Sequence, residues 1–183
     1  MTRYILVFIL FLILITGCGK KTTIQEAIND DLTVINSDNI QDINALLWGD
    51  DISKNSNIAD TADDTVTNSE NANGIITTLL SRGEVDLVSI DNEKAVFNIS
   101  APDMSGFFEV VQEDVKSLSD DELSTRMIEY AKTTKIRTNK VTVAVEEEDN
   151  RLKPNYQEYK FINALTGGLL EEYANYMESI LVQ

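Results

Sequence analysis

The chain has 183 residues, with 15 lysines and arginines, 31 aspartates and glutamates, and a formal net charge of −16 at neutral pH. An acidic surface of this kind repels nucleic-acid phosphates, so the composition argues against nucleic-acid binding. The sequence has no histidine and one cysteine, which excludes an internal disulfide, His-dependent nucleophilic catalysis and ordinary zinc sites. We expect no cofactor, because the one glycine pair, Gly167-Gly168, lacks the flanking pattern of a nucleotide-binding loop.

The first eighteen residues have the pattern of an export signal. Arg3 precedes an unbroken apolar run from Tyr4 to Ile15. As a helix this run would be about 18 Å long, against about 30 Å for the hydrocarbon core of a membrane. The run is therefore short for a membrane span and suits a signal peptide. The sequence predicts a cleaved signal over residues 1–17, a lipidated tether over 18–23 and a single domain over 24–183.

The quartet Ile15-Thr16-Gly17-Cys18 resembles the lipobox of bacterial lipoproteins. The resemblance implies cleavage between Gly17 and Cys18, a diacylglyceryl thioether on the Cys18 sulfur, and fatty acyl chains such as palmitate. Two acyl chains hold a protein stably on a membrane. We therefore expect the extracytoplasmic face of the cell membrane as the location. The alternative is an ordinary cysteine beside a short membrane anchor.

Apolar residues at helical spacing predict three helices before the first strand. These run from Ile24 to Ile35, from Ile40 to Trp48 and from Ile75 to Leu80. A capping box of Thr23 and Glu26 begins the first helix, and Ser37 or Asp38 caps the second. Residues 54–74 are rich in polar residues and have no sustained period, so they are predicted as a polar loop or insertion.

Alternating apolar residues predict two pairs of strands. The four strands are Glu84–Ile90, Ala95–Ser100, Val141–Val145 and Asn155–Asn163. In the second strand, Ala95, Phe97 and Ile99 should point towards the core. In the fourth, Tyr159 and Phe161 share one face.

Helices are predicted between the strand pairs and at the end of the chain. Phe107 begins an apolar helical face that continues to Leu118, and Ser119 with Glu122 forms a second capping box. The last helix follows Gly168. Its inward face is predicted to consist of Leu170, Tyr173, Ala174, Met177 and Leu181.

Strand pairs without a repeating β-α-β alternation predict an α+β fold, with an antiparallel sheet of about four strands and helices packed on one face. This order, with the segment Asn163–Gly168 leading into the last helix, resembles the cystatin-like or nuclear-transport-factor-like cone. That fold occurs in many small Gram-positive surface lipoproteins. The resemblance covers residues 24–183. The closing helix departs from the simplest form of the fold, which ends on a strand.

The anchor, the missing catalytic residues and the resemblance favour a non-enzymatic surface lipoprotein that binds a small ligand or a surface protein. Four aromatic residues are candidates for lining its pocket: Trp48, Phe107, Phe108 and Tyr159. Each is also an ordinary core residue type.

Two other functions remain open. An isomerase or dehydratase would use a carboxylate with a tyrosine donor, for which the available residue types are Asp103, Tyr159 and Tyr173. Calcium-assisted adhesion would use the acidic clusters Asp50-Asp51, Asp60/Asp63/Asp64 and Glu146 to Asp149. None of these clusters has the spacing of a calcium loop, so the sequence predicts no metal site.

Overall fold

The computed structural model describes residues 24–37, 39–48, 65–111, 118–148 and 151–181. Within these ranges the chain forms seven helices and four strands in the predicted α+β arrangement. None of the helices in these ranges is long and apolar enough to cross a membrane. The elements are α1 (Ile24–Ile35), α2 (Ile40–Trp48), α3 (Thr65–Leu80), β1 (Glu84–Ile90), β2 (Lys94–Pro102), α4 (Phe107–Val111), α5 (Asp120–Thr133), β3 (Ile136–Glu148), β4 (Arg151–Pro154), α6 (Tyr159–Leu165) and α7 (Leu169–Leu181).

The four strands form one antiparallel sheet in the order β1-β2-β3-β4, which curls into a half-barrel. The turn between β1 and β2 is closed by Asp91, whose carboxylate accepts hydrogen bonds from the backbone N–H groups of Glu93 and Lys94. The central ladder is the longest. It pairs β2 with β3 from Lys94 opposite Ala144 to Pro102 opposite Ile136. The predicted first hairpin is confirmed.

One face of the sheet carries the larger core. Ala95, Phe97 and Ile99 alternate along β2 and are fully buried, as predicted. Helices α1, α2 and α6 cover this face, contributing Ile28, Ile43 and Phe161 among others. The apolar face of each amphipathic helix therefore packs against the apolar face of the strands, whose side chains alternate with a period of two.

A second core lies among α3, α4, α5 and α7. Its buried members are Leu79, Met104, Phe107, Phe108, Val111, Met127 and Ala131. The N-terminus of α5 has the predicted capping box, in which Ser119 and Glu122 bond reciprocally to each other's backbone N–H. The predicted first capping box includes Thr23, which lies outside the described residues.

The predicted strand over 155–163 is wrong. β4 ends at Pro154, and the segment from Tyr159 to Leu165 is the helix α6. Phe161, Ala164 and Leu165 are buried at helical spacing, whereas Tyr159 is 58% exposed. The alternation of Tyr159 and Phe161 covered too few residues to distinguish a strand from a helix.

Two boundaries near the N-terminus also differ from prediction. Helix α3 begins at Thr65, so the polar segment predicted as a loop over 54–74 is helical from that residue onward. Residues 54–64 lie outside the described ranges. Asn39 caps α2, because its side-chain oxygen accepts hydrogen bonds from the backbone N–H groups of Gln41 and Asp42.

Helix α7 is rotated relative to the prediction. Leu169 and Tyr176 pack against the second core. Four residues that were predicted to face inward are exposed instead: Leu170, Tyr173, Ala174 and Met177. The side chain of Leu181 lies outside the described residues. The rotation is fixed at the first turn, where the carboxylate of Glu172 accepts a hydrogen bond from the Gly106 N–H at 3.0 Å.

The end of β2 meets the start of β3 through Asp103. This buried carboxylate lies 3.2 Å from the Arg137 guanidinium and 3.5 Å from the Lys135 ammonium, and it accepts a 2.6 Å hydrogen bond from the Ser105 hydroxyl. Burial raises the pKa of Asp103, but the Ser105 hydrogen bonds and the two cations outweigh burial. The pKa is therefore below its ordinary value, and the ionised carboxylate belongs to the folded structure.

The turn between α6 and α7 approaches the same junction very closely. A Cβ atom on Gly167 would lie 1.8 Å from the Pro102 carbonyl oxygen, and the backbone there has a φ of +66°. The Met104 N–H donates to the Gly167 carbonyl at 2.9 Å. Only glycine fits a position with this φ and this close contact.

We predict that Gly167→Ala lowers the free energy of unfolding by about 3 kcal/mol, because the backbone must both strain and shift. Gly106→Ala is the matched control. Gly106 also has positive φ, +87°, but its added Cβ would meet nothing closer than 3.8 Å. This control should lose only about 1 kcal/mol. Urea denaturation measures the free energy of unfolding of both variants. Equal losses of stability in the two would contradict the role of the close contact at Gly167.

Candidate functional site

The aromatic residues predicted to line a pocket lie in different parts of the fold where the structure describes their side chains. Phe107 and Phe108 are buried in the second core, with ring centroids 5.1 Å apart. Tyr159 is the exposed first residue of α6. The side chain of Trp48 lies outside the described residues. The role that the structure shows for Phe107 and Phe108 is therefore packing in the second core.

The residue types considered for enzymatic chemistry belong to different parts of the fold. Asp103 is held by its ion pairs, while Tyr159 and Tyr173 are exposed on different helices. Among the described residues, no group of three or more carboxylate, cysteine or histidine side chains could hold a metal ion. The clusters at Asp50-Asp51 and Asp60/Asp63/Asp64 lie outside those residues.

A cleft of about 270 Å³ opens between α1, α2 and the β3–β4 end of the sheet. We call it the Asp31 cleft. Its described lining consists of Asp31, Leu46, Leu47, Glu146, Glu147, Lys153, Pro154, Asn155, Tyr156 and Gln157. The lining thus combines three carboxylates, one ammonium group and two amides with a small apolar surface.

Tyr156 reaches this cleft because β4 stops at Pro154 and the chain turns. The Asn155 N–H donates to the Ala144 carbonyl, and the Asn155 side chain accepts from the Gln157 N–H. The Tyr156 side chain is then directed into the larger core. Its ring centroid lies 5.9 Å from that of Phe97 and 5.2 Å from that of Phe161, and the residue is only 5% exposed.

The Tyr156 hydroxyl donates a 3.1 Å hydrogen bond to the Asp31 carboxylate on α1. Burial raises the pKa of Tyr156, and the neighbouring charge and hydrogen bond of Asp31 raise it further. Tyr156 therefore remains protonated at neutral pH. The pair has a fixed polarity, with the tyrosine as donor and the carboxylate as acceptor.

The pKa of Asp31 is also raised, in contrast to that of Asp103. Burial is the largest cause, and the nearby charge of Asp30 adds to it. The Tyr156 hydrogen bond and the charge of Lys153 lower the pKa but do not offset burial. The ionised form of Asp31 is therefore disfavoured by its surroundings, a feature more common at functional sites than elsewhere.

Sequence reasoning missed this pair. Asp31 stands three residues after Ile28 and four before Ile35, within the apolar stripe of α1. A carboxylate at that spacing was the available signal. Tyr156 gave no comparable signal, because it belonged to the segment predicted as a strand and lies 125 residues away in the chain.

We predict that Asp31→Asn is as stable as the wild-type protein at pH 7 or more stable, because the amide oxygen still accepts from Tyr156 and no buried charge remains. A raised folded pKa means that the wild type loses stability as the pH rises from about 4 through the folded pKa. The advantage of the variant should therefore grow with pH. Tyr156→Phe should lose about 1 kcal/mol. Urea denaturation at pH 4 and pH 7 measures the free energies of unfolding of the variants and the wild type. If the stability of Asp31→Asn relative to wild type were lower at pH 7 than at pH 4, the prediction would be contradicted.

No family model matches the chain, and no curated protein matches it. Among solved structures, the chain is similar to the crystal structure of YcdA, a candidate lipoprotein of Bacillus subtilis, with a TM-score of 0.36 and 17% sequence identity. The alignment covers 78% of this chain and 46% of YcdA. The chain thus spans about half the length of that protein.

Proposed function

We propose that this protein is a lipid-anchored lipoprotein on the extracytoplasmic face of the cell membrane, and that its domain binds a small ligand without transforming it. The anchor is supported by Arg3, the apolar run and the lipobox ending at Cys18. The binding site is the Asp31 cleft. The observation that carries this assignment is the Asp31 carboxylate in the wall of this cleft, where it accepts the hydrogen bond of the buried Tyr156 hydroxyl beside Glu146 and Glu147.

The ligand is a cation that also carries hydroxyl groups. Three carboxylates and two amides supply the polar lining, so acceptors outnumber the donors available from Lys153 and the amides. An ammonium group near Asp31 would offset the cost of burying that carboxylate. A volume of about 270 Å³ suits a molecule of monosaccharide size and is small for a larger ligand.

The hydrogen bonding and protonation of Tyr156 favour binding over catalysis. Its hydroxyl already donates to Asp31, and its raised pKa makes it a weak acid at neutral pH. A general acid works best with a pKa near the operating pH.

The second candidate function is an isomerase or dehydratase in which Asp31 acts as the base. Its support is the direct pairing of a carboxylate with a tyrosine in one cleft. In that case a ligand bound in the cleft would be converted, with a rate that falls as Asp31 is protonated.

The anchor is tested by mass spectrometry of the full chain expressed in a bacterium and extracted from its membranes. We predict loss of residues 1–17 and the added mass of a diacylglyceryl group on Cys18. Cys18→Ser lacks the thiol that would be lipidated. We therefore expect this variant to retain residues 1–17 and to have the mass of the unmodified chain. A wild-type chain that retains Met1 and carries no lipid would contradict the anchor, with no bearing on the cleft.

The cleft is tested with D-glucosamine as the cationic probe and D-glucose as its neutral counterpart. In calorimetric titrations at pH 7 we predict saturable binding of glucosamine, and binding at least about tenfold weaker for glucose, since one charged hydrogen bond contributes about 1.5–3 kcal/mol. Asp31→Asn should remove the preference, while Glu84→Gln, an exposed carboxylate on β1, should keep it. Equal affinities for the two sugars would contradict a cationic ligand. Conversion of either sugar would favour the enzyme.

A further inference from the structure

Helix α7 carries an apolar stripe on its exposed side. Leu170, Tyr173, Ala174 and Met177 follow one another at spacings of three, one and three residues, which places them on one helical face. Leu170 and Met177 are each 37% exposed and Tyr173 is 51% exposed. We call this surface the α7 stripe. Such contiguous exposed apolar surface is typical of an interaction site.

The stripe is exposed because only the adjacent face of α7, which carries Leu169 and Tyr176, packs against the second core. Phe108 stacks on Tyr176 at a centroid distance of 4.6 Å and an interplanar angle of 9°. It touches Tyr173 less closely, at 6.1 Å. The apolar arc of α7 is therefore wider than the core that it packs against, and Leu170, Tyr173 and Met177 remain exposed to water.

The edge of the stripe is acidic. Glu171 and Glu178 lie seven residues apart, on the same side of the helix, and both are exposed. The side chain of Glu171 is held by a 3.2 Å hydrogen bond from the Asn163 amide. The sequence from Leu169 to Gln183 contains neither lysine nor arginine. A partner that covers the stripe must therefore face carboxylates.

This charge pattern selects among the possible occupants. A second copy docking its own α7 antiparallel would set Glu171 of one copy against Glu178 of the other, and like charges at such positions repel. An anionic membrane surface would meet the same carboxylates. A helix with lysines or arginines beside its own apolar stripe would bury the apolar residues of the α7 stripe and pair its cations with Glu171 and Glu178.

We propose that the α7 stripe docks an amphipathic helix of a second protein, and that basic residues bordering the apolar face of that helix pair with Glu171 and Glu178. This is a helix-to-helix interface of the knobs-into-holes kind, in which Ala174 permits close approach at the centre. It does not depend on the ligand proposed for the Asp31 cleft.

The test uses two designed helical peptides with the same leucine stripe, one bordered by lysines and the other by glutamates. Their affinities for the mature lipoprotein in detergent are measured by fluorescence anisotropy. We expect the lysine peptide to bind about tenfold or more tightly than the glutamate peptide, and the difference to shrink with added salt. Tyr173→Ser with Met177→Ser should abolish binding. These positions are exposed, so the variant should keep its folded circular-dichroism spectrum.

A charge reversal gives the sharper control. Glu178→Lys should weaken the preference for the lysine peptide or reverse it. Glu93→Lys, in the β1–β2 turn at the far end of the sheet, changes the net charge equally and should leave the preference intact.

Three results would overturn the proposal. The first is equal affinity for both peptides. The second is a wild-type dimer that Tyr173→Ser with Met177→Ser makes monomeric, which would assign the stripe to a second copy. The third is binding of lipid-free protein to phosphatidylglycerol vesicles that the same variant abolishes, which would assign it to the membrane.

Discussion

The approach of Gly167 to the Pro102 carbonyl is the contact on which the arrangement of the two cores depends. No side chain fits between these backbones. The contact joins the end of β2 to the turn between α6, which packs on the larger core, and α7, which packs on the smaller one. Asp103, the next residue after β2, ties the same point to β3 through Lys135 and Arg137. Because the backbones pack directly, the junction tolerates little displacement.

This junction also determines what the molecule exposes. It positions the start of α7, and the nearby hydrogen bond from Gly106 to Glu172 holds the rotation that turns Tyr176 inward and Tyr173 outward. The Asp31 cleft lies at the other end of the central ladder, where Ala144 pairs with Lys94 and Asn155 donates to Ala144. The two candidate surfaces are thus separated by the length of β2. A ligand in the cleft and a helix on the α7 stripe would not compete for space.

The parts of the fold that the sequence predicted are those set by local patterns. Alternation predicted β2 and β3, and the Ser119 capping box predicted the start of α5. The failures arise where distant contacts decide. The rotation of α7 depends on the hydrogen bond from Gly106 to Glu172, 66 residues apart, and the cleft depends on Asp31 meeting Tyr156. A periodicity shows that a helix has an apolar face, but it does not show how much of that face the core will cover.

The difference between Asp103 and Asp31 explains why the site is assigned to one and not the other. Both carboxylates are penalised by burial. At Asp103 two cations and the Ser105 hydroxyl offset this penalty, so the pKa falls. At Asp31 a tyrosine hydroxyl and the charge of Lys153 offset only part of it, so the pKa rises. A carboxylate that is already compensated gains little from a bound cation, whereas one that is not gains stability from it. A cation bound beside Asp31, as proposed, would offset part of the burial penalty that Tyr156 and Lys153 leave there.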